Sequence, residues 1–310
     1  MQENNSPTSE STVGIVLAAG RGTRMGATTL GITANGSAVS KPLLPTYDKP
    51  TIYYSLSSLI SAGIREVLII AAPDNVDQFR STIGDGTELG MEISYAVQSV
   101  PRGIAEAFII GTEFIGTRNV ALTFGDNIFS GRRFAEILRQ STQPEGVTIF
   151  AYHVPNPEEF GVVEFDKSGK VLSLEEKPAQ PKSNYAVPGI YFYTSEVVDI
   201  AKHIEPSARG ELEITSVNEA FLNLGRINTQ VLDSDTTWFD TGNPTSLLEA
   251  ALFVKDYQEK KTNRLLGSPE AEAFLAGFIN AEQLAVLADR LGKSSYGKAL
   301  QRLADGKWDW

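Results

Sequence analysis

Glycines and cations cluster at the end of the first hydrophobic segment of this 310-residue chain. Gly20, Gly22, Thr23 and Arg24 follow the run VGIVLAA, and Lys41 comes after a further loop. Glycines after a strand let backbone N–H groups approach phosphate oxygens closely, and an arginine binds phosphate through two parallel hydrogen bonds. Together with the lysine, they favour a phosphate site over an ordinary turn with surface cations.

Two common glycine motifs do not match this segment. The sequence Gly-Lys-Ser/Thr does not follow Gly22, so the loop is not a Walker A loop. Met25 occupies the place of the third glycine in the dinucleotide-binding motif. A dehydrogenase with a bound dinucleotide is therefore disfavoured.

Two aspartates follow hydrophobic segments elsewhere in the chain. Asp126 lies in Gly-Asp-Asn at 125–127, and Asp240 lies in Trp-Phe-Asp-Thr-Gly at 238–242. Mg²⁺ prefers oxygen ligands and shares them with substrate phosphates, so two carboxylates at strand ends could hold one such ion. Alternatively, each aspartate caps a helix or a turn.

Two further polar segments contain candidate substrate ligands. Glu176 and Lys177 lie in Leu-Glu-Glu-Lys-Pro, where they could meet sugar hydroxyls and a phosphate, or could form a solvated turn. Arg209 and Glu213 lie in PSARGELEIT, where Glu213 could face a substrate or be structural. The two histidines have no partner at metal-binding spacing and are interpreted as structural or exposed.

Composition excludes several functions. The net charge of −11 argues against a nucleic-acid groove, which needs a basic surface. The absence of cysteine excludes disulfides and thiolate chemistry. No apolar run reaches the roughly 18 residues of a membrane span, and residues 1–12 read as a disordered polar leader rather than a signal peptide. We expect a cytoplasmic protein with no membrane or nucleic-acid partner.

Hydrophobic runs alternate with helical patterns in the first half of the chain, which predicts a parallel sheet covered on both faces. Ligands bind such sheets at the carboxyl ends of the strands, where the segments at 20–22 and 125 lie. The predicted strands are 13–18, 66–71, 93–97 and 119–124, and the predicted helices are 52–62, 76–83 and 104–114.

Shorter strands in the middle of the chain predict a mixed sheet extension that carries the substrate half of the site. After residue 243 the chain is mostly helical, and its apolar stripes must pack on the body or on a neighbouring subunit. The strands are 147–153, 162–165, 171–175, 189–193, 229–232 and 237–239; the helices are 195–204, 214–224, 247–261, 269–277, 281–291 and 296–304.

Taken together, these segments resemble the glucose-1-phosphate thymidylyltransferases of the short, homotetrameric type, from about Gly14 to about Tyr296. The matching motifs are LAAGRGTRM (17–25), SKPLLPTYDKPTIYY (40–54), GDNIF (125–129), FAYHV (150–154), FGVVEF (160–165), LEEKP (174–178), KSNYAVPGIYFY (182–193), PSARGELEIT (206–215) and WFDTG (238–242).

The resemblance implies an α/β fold with a Rossmann-like, mixed, mostly parallel sheet flanked by helices, a sugar-binding sheet extension and a helical C-terminal segment. It divides the chain into a leader (1–12), a core (13–243) and the C-terminal segment (244–310). Within the core, residues 13–146 form the nucleotide half and 147–243 the sugar-binding half.

The resemblance also assigns roles to residues. The turn from Gly20 to Thr23, with Arg24, would hold the triphosphate, and Lys41 would contact its pyrophosphate portion. The residues expected to bind the nucleotide are Leu17, Ala19, Gly20, Gly22, Thr23, Gln98, Gly103 and Asp126. The base would be read by Gln98 and Gly103, and Mg²⁺ bound by Asp126 and Asp240. The sugar would contact Gly161, Glu176, Val187 and Tyr191, and its phosphate Lys177 and Arg209.

The implied reaction is an in-line displacement without a protein nucleophile. A phosphate oxygen of the hexose 1-phosphate, most simply glucose 1-phosphate, attacks the α-phosphorus of dTTP, and pyrophosphate leaves. Arg24, Lys41 and Lys177 would be the catalytic cations, acting by positioning and by neutralising developing charge.

The chain departs from the family pattern around the expected ligands. The loop 26–40 is longer than usual and is expected to be a mobile lid. Pro42, Phe124 and Phe160 replace a polar residue, a leucine and a tyrosine, and Ile104 replaces another leucine. These changes leave a modified sugar phosphate open as the substrate, and Gln98 suits uracil as well as thymine. A non-catalytic nucleotide-sugar sensor is a further alternative, disfavoured because all the expected carboxylates and cations are present.

The family's regulatory nucleotide site is expected to be altered as well. Ser-Gly-Arg at 130–132 stands where Tyr-Gly-His is usual, and Asp-Ser-Asp at 233–235 stands where a glycine and an arginine are usual. Acidic residues repel a nucleotide phosphate. We therefore expect weak or absent feedback by the nucleotide sugar.

Overall fold

The computed structural model describes residues 11–20, 25, 40–261 and 264–307. The strands in this part of the chain are β1 (Thr12–Ala18), β2 (Pro45–Thr46), β3 (Lys49–Pro50), β4 (Glu66–Ala71), β5 (Glu92–Val97), β6 (Asn119–Phe124), β7 (Asn127–Ser130), β8 (Val147–His153), β9 (Gly161–Phe165), β10 (Val171–Glu176), β11 (Tyr185–Ala186), β12 (Ile190–Tyr193), β13 (Ile227–Val231) and β14 (Thr237–Asp240).

The α-helices of the described residues follow the same order. They are α1 (Ile52–Ser61), α2 (Val76–Ile83), α3 (Glu106–Ile110), α4 (Thr112–Ile115), α5 (Phe134–Gln140), α6 (Val197–His203), α7 (Ile214–Asn223), α8 (Pro244–Asp256), α9 (Pro269–Leu275), α10 (Ala281–Arg290) and α11 (Ser295–Ala304). A short π-helix, Tyr257–Lys261, continues α8.

A ten-stranded mixed sheet forms the centre of the molecule, in the order β10-β9-β11-β8-β12-β6-β1-β4-β5, with β13 paired to β8. The N-terminal half is parallel: β1 pairs with β4 and β6, and β4 pairs with β5. The predicted fold class is confirmed. The carboxyl ends of the parallel strands meet at one edge, which places Gly20 beside Gly125, whose N–H donates to the Leu17 carbonyl at 2.9 Å.

The sheet extension is mixed, as predicted: its pairs are antiparallel except that β13 pairs with β8 in parallel. Strand β12 joins it to the parallel half by pairing with β6 on one side and β8 on the other. Strands β11, β9 and β10 continue outward from β8. The extension therefore continues the sheet on the β6 side, so that the end of β10 and the start of β12 lie near the loop after β6.

Alternating residues of the central strands build two hydrophobic cores on opposite faces of the sheet. Val16 and Ile69 contribute to one core, where α1 and the C-terminal helices α9 to α11 pack. Ile15 and Ile70 contribute to the other core, which includes residues of α3, α6 and α7. The central strands are thus packed on both faces.

The helix predicted over 104–114 is interrupted. Two short helices, α3 and α4, meet at Gly111, where an added Cβ would lie 3.0 Å from the Ile15 side chain. The close approach to β1 explains the glycine, and glycine weakens a helix interior. The first turn is also displaced, because the Ala105 N–H donates to the Leu212 carbonyl at 3.0 Å.

The segment after Asp126, to which the sequence analysis assigned no element, is the strand β7. It pairs with β14, with Asn127 opposite Asp240. Helix α5 was also not predicted from the sequence. Across the described ranges, no helix has the length and apolar character to cross a bilayer.

Candidate active site

A cavity of about 200 Å³ opens between the extension and the end of β6. It gathers seven residues that the sequence analysis selected from five separate segments of the chain. They are Asp126, Gly161, Glu176, Lys177, Val187, Tyr191 and Asp240.

A second cavity, of about 180 Å³, lies at the ends of β1 and β6. Its lining includes Leu17, Gly20, Lys41 and Asp126, which the sequence analysis selected, and also Ala18. Ala19 is not part of this lining. A Cβ on Gly20 would point into open space among the described atoms, so the glycine leaves room for a ligand. Asp126, Phe124 and Ile104 border both cavities, so the two spaces adjoin at Asp126.

Asp126 and Asp240 are brought together by the pairing of β7 with β14. The Thr241 N–H and hydroxyl both donate to the Asp126 carbonyl, at 3.1 and 2.8 Å. Asn127 orients the carboxylate, because its Nδ2 donates to Asp126 Oδ1 at 3.0 Å. Its Oδ1 in turn accepts from Trp238 Nε1 at 2.7 Å and from the Gly189 N–H at 3.2 Å.

Asn127 is therefore a positioning residue that sequence reasoning missed. The sequence offered one indication of this role: an amide side chain directly after Asp126. Its partners come from β14 and from the segment before β12, and the local sequence does not reveal these long-range contacts.

The Lys41 ammonium pairs with Asp126 Oδ2. Lys41 is 7% exposed and opens a short 3-10 turn, Lys41–Leu43. The next residue, Pro42, packs on Gly125, whose added Cβ would lie 3.2 Å from the proline ring. This turn holds a cation against the carboxylate at the boundary of the two cavities.

The donor set fits a magnesium ion shared with substrate. Asp126 and Asp240 line the same cavity, and no group of three or more metal-binding side chains is found within the described ranges. Mg²⁺ commonly takes one or two protein carboxylates and completes its shell with water and substrate phosphates. Asp126 and Asp240 would supply those carboxylates.

Glu176 and Lys177 lie at the end of β10. Thr215 Oγ1 donates to Glu176 Oε2 at 2.5 Å, which fixes the carboxylate at the cavity wall. Lys177 has φ of 45°, a left-handed conformation that costs energy for a residue with a side chain. Its N–H donates to the Phe160 carbonyl at 2.9 Å, and the lysine side chain borders the cavity.

Arg209 does not line either cavity. Its guanidinium lies 3.5 Å from Glu176 Oε1, 3.4 Å from Glu213 Oε1 and 3.4 Å from Glu211 Oε2. Burial raises the pKa of Glu213, against the lowering effect of the Ser207 hydroxyl that donates to it at 2.9 Å. In this arrangement Arg209 is an ion-pair partner of Glu176 and lies outside the cavity lining.

Gln98 and Gly103 lie in the segment between β5 and α3, outside the two cavity linings. Gly103 has φ of 124°, and an added Cβ would lie 2.4 Å from the Leu212 nitrogen. The Leu212 N–H donates to the Arg102 carbonyl at 2.7 Å. The segment carrying Gln98 is thus docked on the segment carrying Arg209.

Three predicted phosphate ligands, Gly22, Thr23 and Arg24, fall outside the described residues, as do residues 26–39 of the predicted lid. The four departures from the family pattern all lie at the cavities. Phe160 and Phe124 border the first cavity, Pro42 and Phe124 the second, and Ile104 both.

The fold and the site define a nucleotide-handling α/β protein whose carboxylates and cations meet at the carboxyl ends of parallel strands. Residues 13–257 match the family model described as nucleotidyl transferase, and the chain belongs to this family. It is therefore a nucleotidyltransferase.

Relatives and solved structures agree with this assignment. The chain is 50% identical to a glucose-1-phosphate thymidylyltransferase of Mycolicibacterium smegmatis over 94% of this chain and 99% of the relative. It is 49% identical to one from Neisseria meningitidis, over 94% and 98%. A Bacillus anthracis crystal structure with sucrose, described as a candidate glucose-1-phosphate thymidylyltransferase, superposes with a TM-score of 0.71 at 35% identity, covering 79% of this chain and 96% of that one.

Proposed function

We propose that this protein transfers dTMP from dTTP to glucose 1-phosphate, giving dTDP-glucose and pyrophosphate. The proposal rests on the similarity of the chain to glucose-1-phosphate thymidylyltransferases, to which it is 50% and 49% identical over 94% of its length. The two adjoining cavities supply the space that such a reaction needs, one for each substrate.

The nucleotide occupies the cavity at the ends of β1 and β6. Gly20 and Leu17 border the triphosphate, together with Gly22, Thr23 and Arg24. The buried Lys41 meets the pyrophosphate portion. Because Lys41 pairs with Asp126 in the protein alone, nucleotide binding exchanges one anionic partner of the lysine for another.

The sugar phosphate occupies the larger cavity. Glu176, held by Thr215, accepts hydrogen bonds from sugar hydroxyls, and Gly161, Val187 and Tyr191 shape the pocket. Lys177 holds the phosphate of the sugar. Arg209 supports Glu176 and reaches the phosphate only after a change of partner.

Catalysis then consists of alignment and charge neutralisation. The two phosphates meet at the boundary of the cavities, where one oxygen of the sugar phosphate lies in line with the α-phosphorus. Asp126 and Asp240 would hold Mg²⁺, which would supply positive charge to the phosphate oxygens. Lys41 and Lys177 add two further cations, and no protein atom forms a covalent intermediate.

A modified sugar phosphate is the second candidate substrate, favoured by the aromatic walls. Phe124 and Phe160 line the sugar cavity with rings rather than with hydroxyl groups. UTP is the corresponding second nucleotide.

We also propose a homotetramer and a cytoplasmic location, as for a metabolic enzyme acting on small phosphorylated substrates.

A pyrophosphate-release assay with Mg²⁺ tests the proposal. Each common nucleoside triphosphate is crossed with a panel of sugar 1-phosphates. The fastest turnover is expected with dTTP and glucose 1-phosphate. Release that is fastest with another sugar would replace the substrate, and silence across the panel would favour a nucleotide-sugar sensor.

A further inference from the structure

Glu106 is a buried carboxylate at the start of α3 for which the proposed reaction has no use. It is 6% exposed, yet it has polar partners on several sides. Its Oε2 accepts from Gln98 Nε2 at 2.9 Å and from the Arg102 N–H at 3.2 Å. Its Oε1 accepts from the Arg102 guanidinium at 2.7 Å.

These contacts decide which way the Gln98 amide faces. A carboxylate has only acceptor atoms, so the amide must present nitrogen to it. The second partner of Gln98 Nε2 is the Gly103 carbonyl at 3.2 Å, which is also only an acceptor. Both neighbours therefore select the same orientation, with the amide oxygen turned away from Glu106.

We propose that Glu106 is a positioning residue that sets base selectivity by holding the Gln98 amide oxygen toward the nucleobase. The inference rests on the proposed function, in which Gln98 reads the base. An oxygen facing the N3 position of the base can only accept a hydrogen bond there. Thymine and uracil carry such a donor at N3, whereas cytosine N3 is an acceptor.

The contacts between Arg102 and Glu106 keep the Glu106 carboxylate, and with it the Gln98 amide, in one orientation. The Arg102 N–H donates to the same Oε2 as Gln98, the Arg102 guanidinium pairs with Oε1, and the Arg102 carbonyl accepts from the Leu212 N–H. A neutral amide at 106 would still fill the space, but it has a donor as well as an acceptor. It would therefore allow Gln98 to rotate and present nitrogen to the base.

The test compares Glu106→Gln with the unaltered enzyme, using glucose 1-phosphate and dTTP, UTP or dCTP. We expect the ratio of kcat/KM for dTTP over dCTP to fall about tenfold, since a site built around one hydrogen bond discriminates strongly against its loss. The dTTP over UTP ratio stays unchanged, because both bases carry N3–H. The matched control is Glu113→Gln, which makes the same change of side chain at an exposed position on α4. We expect it to leave both ratios unchanged.

Each ratio is measured within one preparation, so a smaller folded fraction cancels. An unchanged dTTP over dCTP ratio in Glu106→Gln overturns the proposal. A second measurement needs no variant: turnover of the unaltered enzyme is measured with dTTP methylated at N3. Loss of turnover supports an acceptor at Gln98, and turnover equal to that with dTTP overturns it.

Gln98→Leu separates this inference from the proposed function. If Gln98→Leu lowers the dTTP over dCTP ratio and Glu106→Gln does not, base reading by Gln98 stands and positioning by Glu106 fails. If neither variant changes the ratio while dTTP turnover persists, base reading by Gln98 fails, and so does the inference built on it.

Discussion

The Phe124 ring lies so close to Gly189 that a Cβ added at position 189 would be 2.2 Å from Phe124 Cδ2. The same ring lies 5.8 Å from the Tyr191 ring, centroid to centroid, and borders both cavities. The glycine is thus required by a ring rather than by backbone conformation. Phe124 and Gly189 form a single steric unit where the two substrate spaces meet.

Gly189→Ala is expected to displace this ring and to destabilise the fold by about 1–3 kcal/mol, the usual cost of overpacking. Urea unfolding gives the free energy, and kcat/KM for both substrates should fall with it. Adding Phe124→Leu should restore much of the lost stability, because the branched side chain leaves space for the new methyl group. Additive effects of the two changes would contradict a shared steric origin.

Phe124→Leu alone tests whether the ring limits the sugar. We expect larger, substituted hexose 1-phosphates to gain about tenfold in kcat/KM relative to glucose 1-phosphate, a typical effect of a few carbon atoms in a pocket. Phe165→Leu, an aromatic change outside the lining of both cavities, is the control. An unchanged preference would show that Phe124 does not contact the sugar.

Local sequence was sufficient to predict most of the fold. The strands 66–71, 119–124 and 147–153 and the helix 76–83 have the predicted bounds, because each has a hydrophobic period and a clear end signal. The prediction of one continuous helix over 104–114 was wrong, because the helix breaks at Gly111. A glycine is needed there because the Ile15 side chain of β1 lies close by. Contacts of this kind leave no local pattern.

The candidate site follows the same rule. Asp126, Glu176, Lys177 and Asp240 were selected by residue type and motif, and the structure gathers them in one cavity. Asn127 and Glu106 were missed because their functions lie in hydrogen bonds to distant segments. Arg209 was assigned to a phosphate from the motif, whereas its side chain contacts three carboxylates.

Asp126→Asn is expected to lower kcat by about 10²–10³-fold, the usual scale for removing one charge-stabilising group from such a site. The variant should also need a higher Mg²⁺ concentration for half-maximal rate, because a carboxylate ligand is lost. Asp289→Asn, on the exposed side of α10, controls for loss of one negative charge. Full activity with an unchanged Mg²⁺ requirement would show that Asp126 is not a metal ligand.

Feedback by a nucleotide sugar is expected to be weak. Arg132, in one of the altered regulatory segments, donates to both carboxylate oxygens of Asp235 at 2.7 and 3.1 Å. A cation already paired in this way offers little attraction to a nucleotide phosphate. Turnover should be undiminished at saturating dTDP-rhamnose when both substrates are saturating, and strong inhibition that is not competitive with either substrate would contradict this.

Glu272 on α9 makes the stability of the fold dependent on pH. Burial raises its pKa from 4.5 to about 7, against the lowering influence of Arg139. Between these two values the folded state holds a proton that the unfolded state has released, so folding stability falls as pH rises through this window and stays lower above it. A shift of this size corresponds to about 3 kcal/mol.

Glu272→Gln removes this dependence, because the amide does not ionise. We expect the variant to match the unaltered protein at pH 5 and to exceed it by about 3 kcal/mol at pH 8, measured by urea unfolding across the range. Glu282→Gln, on an exposed turn of α10, should show no such divergence. Parallel stability curves for Glu272→Gln and the unaltered protein would mean that Glu272 titrates alike in the folded and unfolded states.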